Sequence, residues 1–263
     1  MQRLKKFSIL LLSFLPITYV YGYDYIEIKT ITFQNYTGSI LQLKKGLKFD
    51  DGNSDNNQAI ISEIMKSLQS EDQKIDVINL FNKKVGKEVL NLFIQGLKNI
   101  PEKNYRDEIS IEMNLSTNNI DYDTLKFFFN ALSTKEVYMK FKLEALNLSS
   151  NRIRGFLDTP GSCEMIHNLL ICHPCLKYLN LKGNFNFVTA TGLSKLYKEL
   201  KSVIASAQMK NFDFIIDLTD SSQKAKEKDI IQSILNEFLS IQEEKVSKDA
   251  REDAEEFFKK VRF

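Results

Sequence analysis

Cys172-His173-Pro174-Cys175 is the segment of this chain whose residue types and spacing most directly suggest chemistry. Two thiols separated by two residues can interconvert with a disulfide, provided that the first thiol ionises readily. A helix N-terminus favours that ionisation and a helix C-terminus opposes it. Here the pair follows an apolar helical stretch, Ile166 to Ile171, and precedes a strand phrase starting at Leu176, so it lies at the wrong end of the dipole. A structural loop is therefore the preferred reading. Cys163, His167, Cys172 and Cys175 also supply zinc-ligand types, but in a spacing that defines no structural zinc class, and no metal ligand is assigned. Three cysteines are too few, and odd in number, for a disulfide scaffold. With only two histidines there is no Ser-His-Asp set to defend, and neither a phosphate-binding glycine loop nor a carboxylate pair stands apart from ordinary helix surface. No catalytic residue and no cofactor are expected.

The elements that flank this segment recur. Asn118, Asn151 and Asn184 are spaced 33 residues apart, and each closes the same short phrase: SIEMNLSTNNI from Ser110, LEALNLSSNRI from Leu143 and LKYLNLKGNFN from Leu176. Apolar residues at i and i+2 followed by an asparagine three further on describe a short strand ending in a tight turn. Outside the clear copies, Ile75, Ile78, Leu80 and Val85 fit with Lys83 at the asparagine position, Leu47 and Phe49 precede Gly52, and Phe212, Phe214, Ile216 and Leu218 alternate strictly. The spacers carry helical stripes: Ile60, Ile64 and Leu68; Val89, Leu92, Phe93 and Leu97; Leu125, Phe128, Phe129 and Leu132 with Asp123 as N-cap; and Leu193, Leu196, Tyr197, Leu200, Val203 and Ile204. One spacer differs, with a loop from Gly155 to Gly161 before a helix marked by Ile166, Leu169 and Leu170. Recurrence at fixed period predicts stacked strand–helix units, each supplying core contacts its neighbour lacks.

The phrase resembles the leucine-rich repeat, and the long spacer resembles the ribonuclease-inhibitor-like class. That resemblance implies an α/β leucine-rich-repeat solenoid, a horseshoe with a parallel concave β-sheet and helices on the convex side. It also implies that Asn118, Asn151 and Asn184 bond the backbone of their own and adjacent turns, a part that Lys83 and Gly52 cannot play. The period exceeds the roughly 20–29 residues usual for the family.

Around these units, Arg3, Lys5 and Lys6 followed by an apolar run from Phe7 to Leu15 read as a secretory leader cut near Gly22. The expected division is a signal peptide at 1–22, a β-hairpin cap at 23–46 turning near Asn35-Tyr36-Thr37-Gly38, about six repeats over 47–240, and a C-terminal helical cap at 241–263 in which Phe257, Phe258 and Val261 mark an amphipathic segment. Removing three leader cations from 36 Lys and Arg leaves a net charge of −1 against 34 Asp and Glu, which gives no pull toward nucleic acid. No later segment is apolar enough for stable membrane insertion after the leader is gone. The acceptor patterns at Asn35, Asn114 and Asn147 read as coincidence, the last two being demanded by the repeat.

Outward positions of the strands form a polar column: Lys48, Asn79, Asn114, Asn147, Asn180 and Asp217, flanked by Glu112, Ser116, Glu144, Ser149, Tyr178 and Lys182. Four consecutive asparagines are more than a core demands. The expectation is a secreted or periplasmic, non-enzymatic protein that binds another protein through this face, with Asn79, Glu112, Asn114, Glu144, Asn147, Tyr178, Asn180 and Lys182 as contact residues. A bacterial effector or surface-interaction role suits such a protein. The alternatives are a thiol–disulfide oxidoreductase, whose active pair the C-H-P-C segment resembles, and a structural envelope protein.

Overall fold

The computed structural model describes residues 17–22, 24–33, 36–50, 52–70, 74–101, 109–153, 155–156, 159–184, 195–196, 215–217 and 261–262. The fold is α/β, and among the described residues it is built on one open sheet of nine strands whose spatial order is their chain order. Strands β1 (Ile17–Gly22), β2 (Ile26–Phe33) and β3 (Tyr36–Leu43) are antiparallel to one another. From β3 onward every pairing is parallel, through β4 (Val77–Asn79), β5 (Ile109–Asn114), β6 (Phe141–Asn147), β7 (Tyr178–Asn180), β8 (Ile215–Asp217) and β9 (Val261–Arg262). Among the described residues the connections hold helices α1 (Ser54–Leu68), α2 (Lys87–Lys98), α3 (Tyr122–Leu132), the short α4 (Lys135–Tyr138) and α5 (Ser162–Cys172).

Register follows from burial. Leu41, Ile78, Met113, Leu146 and Leu179 pair side by side across five strands, and each is at most 1 % exposed. Two residues on, Leu43, Leu80, Leu115, Leu148 and Leu181 form a second buried row. A one-residue slip of any strand would send both rows to the opposite face. Each such side chain contributes roughly 1.5–3 kcal/mol on burial, so the register is strongly fixed. The predicted helical stripes pack onto the same core: Ile60, Ile64 and Leu68 from α1, Val89, Phe93 and Leu97 from α2, Leu125, Phe128, Phe129 and Leu132 from α3, and Ile166, Leu169 and Leu170 from α5. Leu92 is only partly buried, and Leu90 and Ile94 complete the α2 face instead.

Several boundaries differ from the sequence expectations. Tyr36, Thr37 and Gly38 are strand residues paired with Phe33, Thr32 and Ile31, so the hairpin turns before them. The unit preceding β4 is β3 itself, with Gln42 beside Asn79; Leu47 and Phe49 lie in a loop, and Lys48 and Gly52 hold no strand position. Phe49 is nonetheless 1 % exposed, because its amide donates to the Lys83 carbonyl at 2.9 Å and draws the ring into the core. The N-cap of α3 is Asp121, whose carboxylate accepts from the Thr124 amide at 2.8 Å, and Asp123 sits in the first turn. Val261 and Arg262 form a strand beside β8 where an amphipathic helix was expected. Residues 17–22, within the expected leader, pair antiparallel with β2. Of the stripe at 193–204 only Lys195 and Leu196 are described, both helical with Leu196 fully buried; Leu193, Tyr197, Leu200, Val203 and Ile204 lie outside the described residues, as do Phe212, Phe214, Leu218, Phe257 and Phe258. No described helix is long and apolar enough to cross a membrane.

Candidate functional site: the asparagine ladder and the open sheet face

The turns that end β5, β6 and β7 are joined by a ladder of buried amides. Asn118, Asn151 and Asn184 are 7 %, 4 % and 1 % exposed. The Asn151 Oδ1 accepts from the amides of Asn118 at 3.1 Å and Ile120 at 3.2 Å in the preceding unit. Its Nδ2 donates to the Leu115 carbonyl of that unit at 3.0 Å and to its own Leu148 carbonyl at 2.9 Å. Asn118 and Asn184 repeat the arrangement one unit earlier and one unit later. An amide side chain suits this place because it alone carries both an acceptor and two donors without charge.

Lys83 holds the equivalent position before Asn118, and its role differs from the one expected of it. The ammonium reaches back to the carbonyls of Leu47 at 2.9 Å and of Leu43 and Lys44 at 3.4 Å, so it supplies the donor half of the ladder. It has no acceptor to offer, and the ladder accordingly ends there. Burial pushes the Lys83 pKa below its usual value, with Lys48 adding to the effect and Glu27 opposing it.

The residue just before each ladder position is left-handed: Asn82 at φ 53°, Thr117 at 56°, Ser150 at 54° and Gly183 at 69°. Gly183, and to a lesser degree Asn82, have residue types that this conformation favours, whereas Thr117 and Ser150 do not. A Cβ at Gly183 would also meet the Ser150 Oγ at 3.2 Å. Gly183→Val should therefore lower stability by about 2 kcal/mol, combining backbone strain with crowding. Thr117→Gly, at the same place in a neighbouring turn, should leave the urea midpoint unchanged or raise it. A fall of similar size for both would contradict the strain argument.

On the sheet face opposite the buried rows, Gln42, Asn79, Asn114, Asn147, Asn180 and Asp217 stand in register. The oxygens of the four asparagines are engaged at home. Asn79 accepts from the Phe81 amide at 3.2 Å, Asn114 from Ser116 at 3.1 Å, Asn147 from Ser149 at 3.0 Å and Asn180 from Lys182 at 2.9 Å. Each asparagine thus turns its strand into the following loop, a structural reason for the column that its outward position does not disclose. The Asn114 Nδ2 donates to the Asn79 Oδ1 at 3.1 Å, the Ser116 hydroxyl donates to the Asn114 Oδ1 at 2.7 Å, and both residues are 5 % exposed. Asn79, Asn147 and Asn180 are half-buried, as are Glu112, Glu144, Ser149, Tyr178 and Lys182.

The flank is acidic at one end. Burial holds the Glu112 carboxyl above its ordinary pKa, and Glu144 and Asp76 push it the same way. Lys177 lies 3.8 Å from Glu144, an exposed ion pair that contributes little to stability. The expected contact residues therefore share one face, with Asn114 largely withdrawn beneath its neighbours.

The C-H-P-C segment has a different role from its composition. Cys172 ends α5, donates to the Ser133 carbonyl at 3.5 Å, and has its pKa raised, chiefly by burial. None of the three cysteines is in a disulfide. Neither the position at a helix C-terminus nor the raised pKa favours a thiolate. His173 is fully buried and joins three elements: its Nδ1 accepts from the Leu143 amide at 3.3 Å, which requires that Nε2 carry the proton donated to the Leu132 carbonyl at 3.2 Å. Burial, with a smaller contribution from Lys142, lowers its pKa from 6.5 to about 4, against the Leu132 bond. Lys142 is itself 8 % exposed, with its ammonium 3.2 Å from the Cys172 carbonyl and 5.1 Å from the centre of the Tyr138 ring. That cation at the end of α5 complements the helix dipole. Among the described residues no three His, Cys, Asp or Glu side chains gather as a metal site would require.

Sequence reasoning missed Lys142, the ladder role of Lys83 and the place of Gln42. Only Gln42 left a signal, since Ile40-Leu41-Gln42 repeats the pattern of Val77-Ile78-Asn79. Compared with protein-family models and with curated proteins, the chain matches none.

Proposed function

We propose that the chain is an exported leucine-rich-repeat protein of the horseshoe kind, non-enzymatic, which binds another protein through the concave face of its parallel sheet. The observation that carries this reading is the asparagine ladder, in which each buried side chain bonds its own turn and the turn before at intervals of 33 residues. Such a ladder stacks like units in parallel, and the described helices pack on the buried side of the sheet, opposite the face that solenoids use for recognition. Half-buried Tyr178, Glu144, Lys182 and the asparagine amides offer this face aromatic area, both charges and hydrogen-bond donors. An effector or surface-interaction task in a bacterium suits the proposed export.

The test is capture of partners from candidate host extracts by the wild type and by a variant carrying Asn147→Asp, Asn180→Asp, Tyr178→Ala and Lys182→Glu. Aspartate keeps the acceptor that each turn needs, as Asp217 already supplies that residue type in the same column. The variant should fold normally and lose at least tenfold in recovered partner, an affinity change of about 1.4 kcal/mol or more. Equal recovery of every partner by both proteins would leave the face without a recognition role.

A further inference from the structure

The outer neighbour of β2 belongs to the expected leader. Among the described residues β1 ends the sheet on this side, and it pairs antiparallel with β2 from Ile17 beside Ile31 to Gly22 beside Glu27. The Lys44 amide donates to the Tyr25 carbonyl at 3.0 Å, next to the first pair of the β2–β3 ladder. Backbone groups alternate along an antiparallel strand, so the odd-numbered residues of β2 turn theirs to β3, and Ile28, Thr30 and Thr32 turn theirs to β1. Glu63 of α1 closes the start of this edge: its carboxylate accepts from the amides of Asp24 at 3.0 Å, Tyr25 at 2.9 Å and Ile26 at 3.3 Å. The edge that β1 covers therefore begins at Glu27.

We propose that removal of the leader uncovers this edge and that a second copy of the chain takes the place of β1, the two β2 strands pairing about a two-fold axis at Thr30. The inference rests on the export reading proposed above. A two-fold axis perpendicular to a sheet makes edge partners antiparallel, the sense in which β2 already holds both of its neighbours. Centred on Thr30, the pairing sets Ile28 beside Thr32 of the copy and Thr30 beside itself, so the backbone groups left by β1 all find partners. An axis at Lys29 would instead set that lysine against its own copy, and like charges directly opposite are unfavourable. An axis at Ile28 would need the Ile26 amide, which Glu63 already holds. The usual guard of such an edge is a lysine, and the charge of Lys29 is answered within its own strand by Glu27 at 3.0 Å. The processed chain is also close to neutral, so no long-range repulsion keeps copies apart. In the precursor β1 covers the edge, and the pairing waits for export.

The experiment compares the full chain retained in the cytosol of an expression host, which keeps β1, with the same chain secreted and processed near Gly22. Light scattering at about 0.1 mM protein should give a monomer for the first and a dimer for the second. Thr30→Pro removes the outward N–H and leaves the β3 side of the strand intact, a change that edge strands tolerate. The processed variant should be monomeric with an unchanged circular dichroism spectrum. If it fails to fold, amide exchange of the processed wild type is read instead: the Ile28, Thr30 and Thr32 amides should slow by about tenfold as the concentration rises through the dimer Kd. A dimer from the full chain overturns the covering role of β1. A processed dimer unaffected by Thr30→Pro, or exchange independent of concentration, overturns β2 as the contact. A monomeric processed chain overturns the second copy and leaves export intact; binding of the synthetic peptide ITYVYG, the β1 sequence, would then give the edge to a strand of another protein. An uncut chain overturns the proposal together with the export reading. None of these results bears on capture by the sheet face.

Discussion

Replacement of Asn151 by alanine should cost about 4 kcal/mol and bring the protein near the limit of its stability. Asn151 is 4 % exposed, and its side chain is bonded to the amides of Asn118 and Ile120 and to the carbonyls of Leu115 and Leu148. Alanine leaves two buried N–H groups without an acceptor, and each such group costs roughly 1–3 kcal/mol. Aspartate is the informative companion. It restores the acceptor but sets carboxylate oxygen against the Leu115 and Leu148 carbonyls, so Asn151→Asp should be at least as damaging at pH 7. Because Asn118 donates its own amide to Asn151, the Asn118→Ala/Asn151→Ala pair should be non-additive. Urea denaturation of the wild type and the four variants decides the matter; a loss under about 1 kcal/mol for Asn151→Ala would show that the ladder does not hold the turns together.

The second large effect concerns acid. The His173 ring is neutral in the fold, with a pKa lowered to about 4 against an ordinary 6.5. For a base with a depressed folded pKa, the unfolded chain binds the extra proton. Nothing is lost above pH 6.5; stability then falls as the pH drops, by about 3 kcal/mol at pH 4. Structurally, protonation would place a hydrogen on Nδ1 against the Leu143 amide, so the bond that fixes the tautomer must break. His173→Gln retains an acceptor and a donor and cannot titrate. Its unfolding free energy should decline less than that of the wild type between pH 7 and pH 4, by most of that 3 kcal/mol. Glu27 and Asp121, whose pKa values are lowered, and Glu112, whose pKa is raised, titrate in both proteins and cancel in the comparison. Parallel pH curves for the two proteins would remove His173 as the acid-sensitive clamp.

The parallel β-sheet pairing was legible because its causes are local and repeated. Leu146 and Leu179 lie side by side, as their matching phrases require, and the stripes of α3 and α5 face the core that their spacing predicts. The N-terminal unit was misread for an equally physical reason. Leu47 and Phe49 have the alternation of a strand, but the backbone donors and acceptors beside β4 are already taken by β3. A sequence shows which residues want burial, and it does not show which of two neighbours reaches the sheet edge first. The polar column presents the reverse case. Its asparagines were visible, while the turn amides that occupy their oxygens belong to residues two further on, whose donors no side-chain pattern reveals. His173 looked like half of a redox motif for the same reason: its two bonds are to main-chain groups 30 and 41 positions distant.

The ladder also governs how this architecture can change size. The Asn151 side chain serves its own turn and the one before, while its backbone amide is held by Asn184 of the next, so a partial insertion within the turns would strand amides on both sides. Gain or loss of one whole period between Asn118 and Asn151, or between Asn151 and Asn184, rejoins like to like. Growth by tandem duplication is thus the cheap route for such a gene, and its breadth of reach becomes an integer.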